Sequence, residues 1–471
     1  MAMGAINVVR GSRSSTEQLL QIYTHSESVA LIVDNPQLFD QIANAFVTQA
    51  AMKFVILLWG EKSELKNREV LEKFPVFSYD EIIEMGRKSR KLLVDSHEAR
   101  ELYAYEPISS DEIATLIYTS GTTGNPKGVM VTHRNLLHQI RTLWDIAPIQ
   151  AADRFLSMLP PWHAYERACE YFMFTHGIEQ VYTNVKHLKE DLKRYQPDYL
   201  VSVPLVFETL HSSIKRQINS SSTIRKIVAL AFLKISMAYM EFKRIYEGKY
   251  LAKEQKQQSY FIDVVDWLWA RIAAAVLLPI HTLAKKLLYS KIQSAIGISK
   301  AGINGGGSLP LHIDKFFEAI GILVQNGYGL TEASPVVSCR RPACNVLGSV
   351  GHPLRQTEVK VVDLDTDEIL PPGSKGIVKV RGPQVMKGYY KNPAATREVL
   401  DDDGWLNTGD LGWIAPCHSS GRSRLCGGVL VLEGRAKDTI VLMTGENVEP
   451  SEIEDAAMRS SLIQQIVVIG Q

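Results

Sequence analysis

The stretch T-S-G-T-T-G-N-P-K-G fills residues 119–128, between an apolar run at 113–118 and a shorter one at 129–131. A loop this dense in Gly, Ser and Thr can turn its backbone N–H groups inward around an anion. Thr119, Ser120, Thr122 and Thr123 add hydroxyls, Gly121 and Gly124 allow close approach, and Lys127 adds a full positive charge. The loop therefore reads as a phosphate clamp. It is not the Walker loop, whose Gly-Lys-Ser/Thr opens directly into a helix. Here Lys127 is followed by Gly128 and more extended chain.

Outward from the clamp, apolar runs at 29–33, 54–58 and 200–203 alternate with helical patterns up to about residue 210. Such alternation predicts βαβ units and a largely parallel sheet covered by helices. Residues 211–300 change character. A long helical pattern at 224–246 is followed by a second at 261–296, rich in Trp, Leu and Ala. Residues 272–280 are apolar throughout but are bounded by Arg271 and His281 and contain Pro279. A membrane span needs about 20 such residues, so an amphipathic helical insertion is expected instead. Past residue 300, strand patterns at 359–362 and 377–380 around the Pro371-Pro372-Gly373 turn predict a β-rich subdomain.

Composition sets the frame. The 471 residues exceed the ceiling for one core, so two or more domains are expected. Hydrophobic residues at 45% and charged residues at 22% are those of a globular protein. The net charge of +1 gives no ground for a nucleic-acid partner. Its distribution is uneven: residues 211–300 hold fifteen Lys/Arg against five Asp/Glu, a local +10 that leaves −9 for the rest. The five cysteines are scattered without zinc-ribbon spacing, so reduced thiols are expected. No secretory or transit signal is read at Met1.

Five further motifs follow the clamp: N-G-Y-G-L-T-E (326–332), G-Y-Y-K-N-P (388–393), G-W-L-N-T-G-D (404–410), G-R-A-K-D (434–438) and T-G-E-N-V-E-P (444–450). In this order the set resembles the adenylate-forming superfamily: acyl-CoA synthetases, acyl–acyl carrier protein synthetases, beetle luciferases and peptide-synthetase adenylation domains. P-W-H-A-Y-E-R (161–167) and G-G-G-S-L-P (305–310) resemble the long-chain fatty-acid branch, and most closely the plant plastid acyl–acyl carrier protein synthetases. The resemblance implies an α/β fold. A large adenylation domain over residues 1–434 would carry the basic helical insertion, and residues 435–471 would hold the hinge and the start of a small C-terminal domain. It also implies that residues 4–10 are a strand inside the large domain, with a helix after it at 14–27. The apolar run 466–469 reads as a last strand. The family's small domain continues past this point to a catalytic lysine, so the chain is expected to be a fragment, or an aberrant gene model, of a longer enzyme.

The resemblance also assigns roles. The clamp from Thr119 through Lys127 would hold the β/γ-phosphates of ATP. Glu332 would be the magnesium ligand, with Thr119 or Thr331 as hydroxyl helpers, since Mg²⁺ prefers hard oxygens and keeps its waters. Tyr328, flanked by Gly327 and Gly329, offers a flat ring for adenine, although the bare motif fits a turn tyrosine equally. Asp410 would accept both ribose hydroxyls, with Arg435 a second ribose or phosphate contact. On its own T-G-D is only a turn. Gly305, Gly306 and Gly307 would pass close to the adenylate, or else form a surface loop. His163 and Tyr165 would line the entrance for the carboxylate, His163 polarising or gating it. Lys437 would be the hinge and Gly445 would line a pantetheine tunnel. Long-chain fatty acid, ATP, Mg²⁺ and an acceptor thiol on acyl carrier protein or CoA follow as substrates, cofactors and partners, with a chloroplast address. The basic segment is expected to dock acidic carrier protein or an anionic membrane surface, or to be a solvated helical face. The rivals are a CoA ligase for another acid and a non-catalytic acyl- or nucleotide-binding remnant.

Overall fold

In the computed structural model, the protein is described over residues 4–11, 14–49, 51–66, 72–95, 108–119, 126–254, 259–438, 440–441, 447–448, 450–458, 460, 463 and 466–469. The chain forms two compact units: residues 1–133 with 387–393, and residues 134–386 with 394–471.

The first unit begins with α1 (Thr16–His25), whose Ser15 side chain accepts from Gln18 N and caps the helix. Strands β1 (Ala30–Val33), β2 (Phe54–Leu57) and β3 (Val76–Ser78) pair in parallel in that order. Parallel neighbours need a crossover, and α2 (Pro36–Gln49) supplies the first. Its Phe39, Ala43 and Phe46 are buried on Val55 and Leu57 of the sheet. Helix α3 (Tyr79–Asp95) follows β3. Then β4 (Ile113–Thr119) and β5 (Lys127–Thr132) pair antiparallel, with Thr119 opposite Lys127. Residues 387–393 return to this ribbon: Met130 N donates to Gly388 O, Lys387 N to Met130 O and Tyr390 N to Gly128 O, at 2.8–3.0 Å. The expected strand at 4–10 is reduced to one bridge, Asn7 with Thr115. There Asn7 donates to Ala114 O and accepts from Leu116 N.

The second unit is built on a seven-stranded sheet of order β12-β11-β10-β9-β8-β6-β7. Five strands run parallel: β6 (Arg154–Ser157), β7 (Glu179–Tyr182), β8 (Tyr199–Ser202), β9 (Ala301–Asn304) and β10 (Val324–Gly329). Helices α4 (Ala164–Thr175) and α5 (Leu188–Tyr195) connect the first three. Alternate residues serve opposite faces, as the period-two pleat requires. Leu156 and Leu200 join one core cluster, while Phe155, Tyr199 and Val201 join the other.

Between β8 and β9 lies the helical insertion: α6 (Pro204–Asn219), α7 (Thr223–Glu247) and α8 (Tyr260–Ala284), which continues in π geometry over Lys285–Tyr289 and in α geometry over Ser290–Ile296. Helices α7 and α8 form an antiparallel hairpin. His281 Nδ1 and Tyr289 OH both reach Ser236 Oγ, at 2.9 and 2.8 Å. The other end is tied to residues 420–424: Arg422 pairs with both oxygens of Asp266, Ser420 Oγ donates to Asp263 Oδ2 and Arg424 Nη2 donates to Tyr246 O. Among the described residues no helix is long and apolar enough to cross a membrane.

After β9, α9 (Leu311–Ala319) leads into β10, and β11 (Val336–Cys339) and β12 (His352–Pro353) extend the sheet in antiparallel pairing, with β12 at its edge. The predicted β-rich part is a four-stranded antiparallel sheet of β13 (Glu358–Val362), β14 (Gly376–Arg381), β15 (Leu406–Ile414) and β16 (Leu430–Arg435). Near the end, α10 (Pro450–Ala457) is formed, but residues 466–469 are not a strand. There Val468 N donates to Glu454 Oε1 instead of to a ladder partner. All five cysteines are free thiols, as expected.

Candidate functional site

The second unit brings together residues that the sequence scatters over more than a hundred positions. Tyr328 is the next-to-last residue of β10, Asp410 lies within β15, and Arg435 ends β16 directly opposite Asp410 in the strand register. Tyr328 OH donates to Asp410 Oδ2 at 2.5 Å, and Arg435 Nε donates to Asp410 Oδ1 at 3.0 Å. A carboxylate has about four acceptor positions. With one used on each oxygen, one per oxygen remains to face a pair of neighbouring hydroxyls.

Local sequence fixes the aspartate. Thr408 Oγ1 donates to Val378 O and accepts from Asp410 N, while Asn407 Oδ1 accepts from Gly409 N. Gly409 sits at φ +71°, where a side chain is strained, which accounts for the glycine of T-G-D. Burial and the adjacent Asp410 hold the Tyr328 phenol well above its ordinary pKa, so it remains a donor. The Asp410 charge also raises the Arg435 guanidinium, which stays protonated.

These three side chains line a cavity of about 890 Å³ together with Gly306, Gly307, Gly329 and Lys437. The glycine loop is held by Asn304, whose Nδ2 donates to Gly307 O at 3.3 Å and to Asn326 Oδ1 at 2.7 Å. Gly306 adopts φ +76°. Gly305 serves another purpose: it is buried away from the cavity lining, and a Cβ there would stand 2.8 Å from the Tyr165 ring. Expected roles are thus divided within one motif, two glycines lining the cavity and one admitting a tyrosine.

Thr331 and Glu332 follow β10 in a short 3-10 turn and are not among the residues lining this cavity. Their donors are oxygen only, a hydroxyl and a carboxylate on adjacent residues, which suits a hard cation that shares its shell with phosphate oxygens and water. Among the described residues there is no group of three or more His, Cys, Asp or Glu to form an all-protein metal cage. His163 is the N-cap of α4, its Nδ1 accepting from Tyr165 N at 3.2 Å. It retains solvent contact, yet the protein around it lowers its pKa, so the ring is neutral at pH 7.

The clamp belongs to the first unit. Thr119 and Lys127 stand opposite each other at the ends of β4 and β5, so strand leads to strand and the Walker arrangement is absent. Lys127 Nζ lies 5.0 Å from the centroid of the Tyr389 ring, a cation–π contact contributed by the G-Y-Y-K-N-P motif. Ser120, Gly121, Thr122, Thr123, Gly124 and, further on, Gly445 lie outside the described residues.

The family's sequence profile for AMP-binding enzymes matches residues 1–390, and that for the AMP-binding enzyme C-terminal domain matches residues 437–471. The chain belongs to the AMP-binding enzymes. Two Arabidopsis thaliana relatives of this AMP-binding enzyme are each 67% identical over all 471 residues. One is named probable acyl-activating enzyme 16, chloroplastic, and the other long-chain-fatty-acid–[acyl-carrier-protein] ligase AEE15, chloroplastic. The chain spans 65% and 64% of their lengths. Among solved structures, a long-chain-fatty-acid-CoA ligase from Archaeoglobus fulgidus superposes with a TM-score of 0.58 at 19% identity, covering 98% of this chain and 71% of that one. It shares the fold: parallel α/β sheet, β-rich part and the start of a C-terminal domain.

Several site features were not foreseen from sequence. The Tyr328 hydroxyl, left without a role beside its ring, orients Asp410. The Asn304–Asn326 pair could have been noticed, since each asparagine directly precedes a glycine of a recognised motif. Glu454, Val468 and Ile469 also line the cavity, with no motif to mark them. Glu166, fully buried, is hydrogen-bonded to Ser157 Oγ, and burial lifts its pKa to about 8, with Glu170 adding repulsion.

Proposed function

We propose that this AMP-binding enzyme activates long-chain fatty acids as acyl-adenylates and passes the acyl group to a pantetheine thiol, that of acyl carrier protein before that of CoA. The observation that carries the reading is the Tyr328–Asp410–Arg435 cluster, a fixed carboxylate with one open acceptor position on each oxygen, set beside a glycine loop in one cavity. That arrangement suits the two ribose hydroxyls of an adenylate. The substrate class is supported by the 67% identity to the fatty-acid–acyl carrier protein ligase. A chloroplast location is proposed on the same ground.

In the first half-reaction a carboxylate oxygen of the acid attacks the α-phosphorus, the bond to the β-phosphate bridging oxygen breaks, and pyrophosphate leaves. Two like charges must approach and another must depart, so electrostatic stabilisation carries most of the burden. Lys127 and the hydroxyls and amides from Thr119 to Gly124 are assigned to the departing phosphates. Gly305 to Gly307 border the adenylate, with His163 neutral at the acid's entrance. Mg²⁺ would be held by Glu332, with Thr119 or Thr331 helping, and supplies charge neutralisation on the phosphates. In the second half-reaction the thiol sulfur attacks the acyl carbon, the carbon–oxygen bond to AMP breaks, and the thiol proton is released. Lys437 is assigned to the hinge between these states and Gly445 to the thiol tunnel. The functional division is placed at 1–434 and 435–471.

Acid-dependent ATP–pyrophosphate exchange tests this. Exchange that rises from short to long-chain acids supports the reading. Exchange confined to aromatic or short acids rejects the substrate class, and nucleotide binding without exchange for any acid rejects the reaction.

A further inference from the structure

Helix α8 is apolar on both faces. Its inner side buries Ala270, Ala274 and Ala284 against the rest of the unit. Its outer side leaves Phe261, Val265, Trp269, Ile272, Val276 and Leu283 exposed, from 48% to 74% of their surface. Steps of three, four and seven residues keep these six on one narrow stripe, and at 1.5 Å per residue it runs for about 33 Å. The first turns of α7 pack beside Ala284 and Tyr289 through Ala229 and Leu233, and add exposed Ile224 and Ile227. A helix that is hydrophobic all round is normally buried on every side, and a contiguous patch of this size on a soluble surface marks a contact.

Charge says what kind of contact. Arg271, Lys285, Lys286 and Lys291 are exposed along α8 and its continuation, and Arg225 and Lys234 on α7. Between residues 260 and 296 the acids are Asp263 and Asp266 alone, and both are turned away to Ser420 and Arg422. The outer surface of α8 and its continuation is therefore apolar in the middle and cationic beside it, and the two carboxylates of residues 260–296 are engaged elsewhere. A protein partner that is merely acidic would match the lysines but leave the long stripe uncovered. An anionic bilayer matches both: headgroups meet the cations while the apolar row enters the headgroup–acyl boundary. The helix lies on the surface and does not cross it, because its inner face is fixed through His281, Tyr289 and Asp266.

We propose that the outer stripe of α8, with the start of α7, seats this protein on an anionic lipid bilayer. The assignment deepens the functional proposal and rests on it in one respect: a long-chain acid partitions into bilayers, so the stripe would place the enzyme at its substrate's source.

The test is co-sedimentation of the whole chain with phosphatidylcholine vesicles, with and without phosphatidylglycerol, reading ATP binding in the same samples. The protein binds the anionic vesicles and binds the neutral ones more weakly. The surface pair Trp269→Glu and Val276→Glu lowers binding to both by about tenfold or more, and Lys285→Glu with Lys286→Glu does so on anionic vesicles alone and is mimicked by added salt. Brominated lipid quenches tryptophan emission in the parent and less in Trp269→Phe, a variant that leaves the fold undisturbed. Absence of vesicle binding by the folded protein overturns the proposal. So does a solution dimer that the glutamate pair dissociates, or acyl carrier protein bound by the same residues with no lipid effect. In the parent protein, ATP binding without vesicle binding rejects the docking alone. ATP binding lost while vesicles still bind rejects the ligase reading alone.

Discussion

On the proposed ribose role of Asp410, the change Asp410→Asn should separate recognition of the sugar from the rest of nucleotide binding. Asparagine keeps the shape, and its amide oxygen can still accept from Tyr328, whose hydroxyl is 2.5 Å from the carboxylate in the parent. It loses the charge, and one of its two positions becomes a donor. A hydrogen bond to a charged group contributes about 1.5–3 kcal/mol and a neutral one about 0.5–1.5 kcal/mol, so each ribose hydroxyl loses about 1 kcal/mol. Two hydroxyls together give about 2 kcal/mol, or roughly thirtyfold in Kd. The Arg435 pair adds little, because that side chain is 64% exposed and its pairing is screened. Calorimetric titration with ATP and with 2′,3′-dideoxy-ATP makes the comparison. The variant should lose about thirtyfold in affinity for ATP and much less for the dideoxy nucleotide, so the parent's preference for ATP over the dideoxy form shrinks without vanishing in Asp410→Asn. Equal affinity of the parent for the two nucleotides, or a loss in the variant that is the same for both, refutes the assignment.

Three other outcomes follow from the same structure. Glu166 keeps its proton in the folded state up to about pH 8 but releases it near 4.5 when unfolded, so its contribution to stability is complete below pH 4.5, declines through this window and is gone above it. Glu166→Gln removes that decline, at most about 1.4 kcal/mol per pH unit, so its advantage in urea melts should grow from pH 4.5 to 8; a constant difference would contradict the burial argument. Asp314 and Arg340 form an ion pair at 2.7 Å with side chains 3% and 1% exposed, so Asp314→Ala strands a buried cation and should cost about 3–5 kcal/mol in denaturant unfolding, against less than 1 kcal/mol for a surface pair. Lys127→Ala should raise the ATP requirement of exchange strongly while leaving the unfolding midpoint nearly unchanged, and unaltered ATP kinetics would remove Lys127 from the clamp.

Much of this was readable because the signals were local. The strands at 30–33, 54–57 and 199–202 are apolar runs bounded by polar or turn residues, and the clamp's flanks form the predicted strands. Where an expected strand is not formed, the backbone bonds elsewhere, as Val468 N does to Glu454 Oε1. Residues 466–469 are as apolar as a strand, yet Val467 and Ile469 are 74% and 80% exposed. Periodicity states which residues prefer burial, while a strand also requires a neighbouring backbone. The same gap hid the outer stripe of α8: an amphipathic helix was expected, whereas its outer side is as apolar as the side that buries Ala270, Ala274 and Ala284. Composition showed the basic character of residues 211–300, but the turning inward of Asp263 and Asp266 depended on Ser420 and Arg422, some 150 residues away. At the cavity, Tyr328, Asp410 and Arg435 each belong to a motif marked in the sequence. Their joining through the Tyr328 hydroxyl was not, because a phenol's ring and its hydroxyl suggest different roles and only the fold chooses between them.

In the proposed reaction the acid's own oxygen attacks the α-phosphorus of ATP. Turnover with a long-chain acid labelled with heavy oxygen in its carboxylate tests it directly, by mass spectrometry of the nucleotide product. The expected product is AMP carrying one labelled oxygen, with pyrophosphate unlabelled. Unlabelled AMP, or ADP with the label in phosphate, would contradict it.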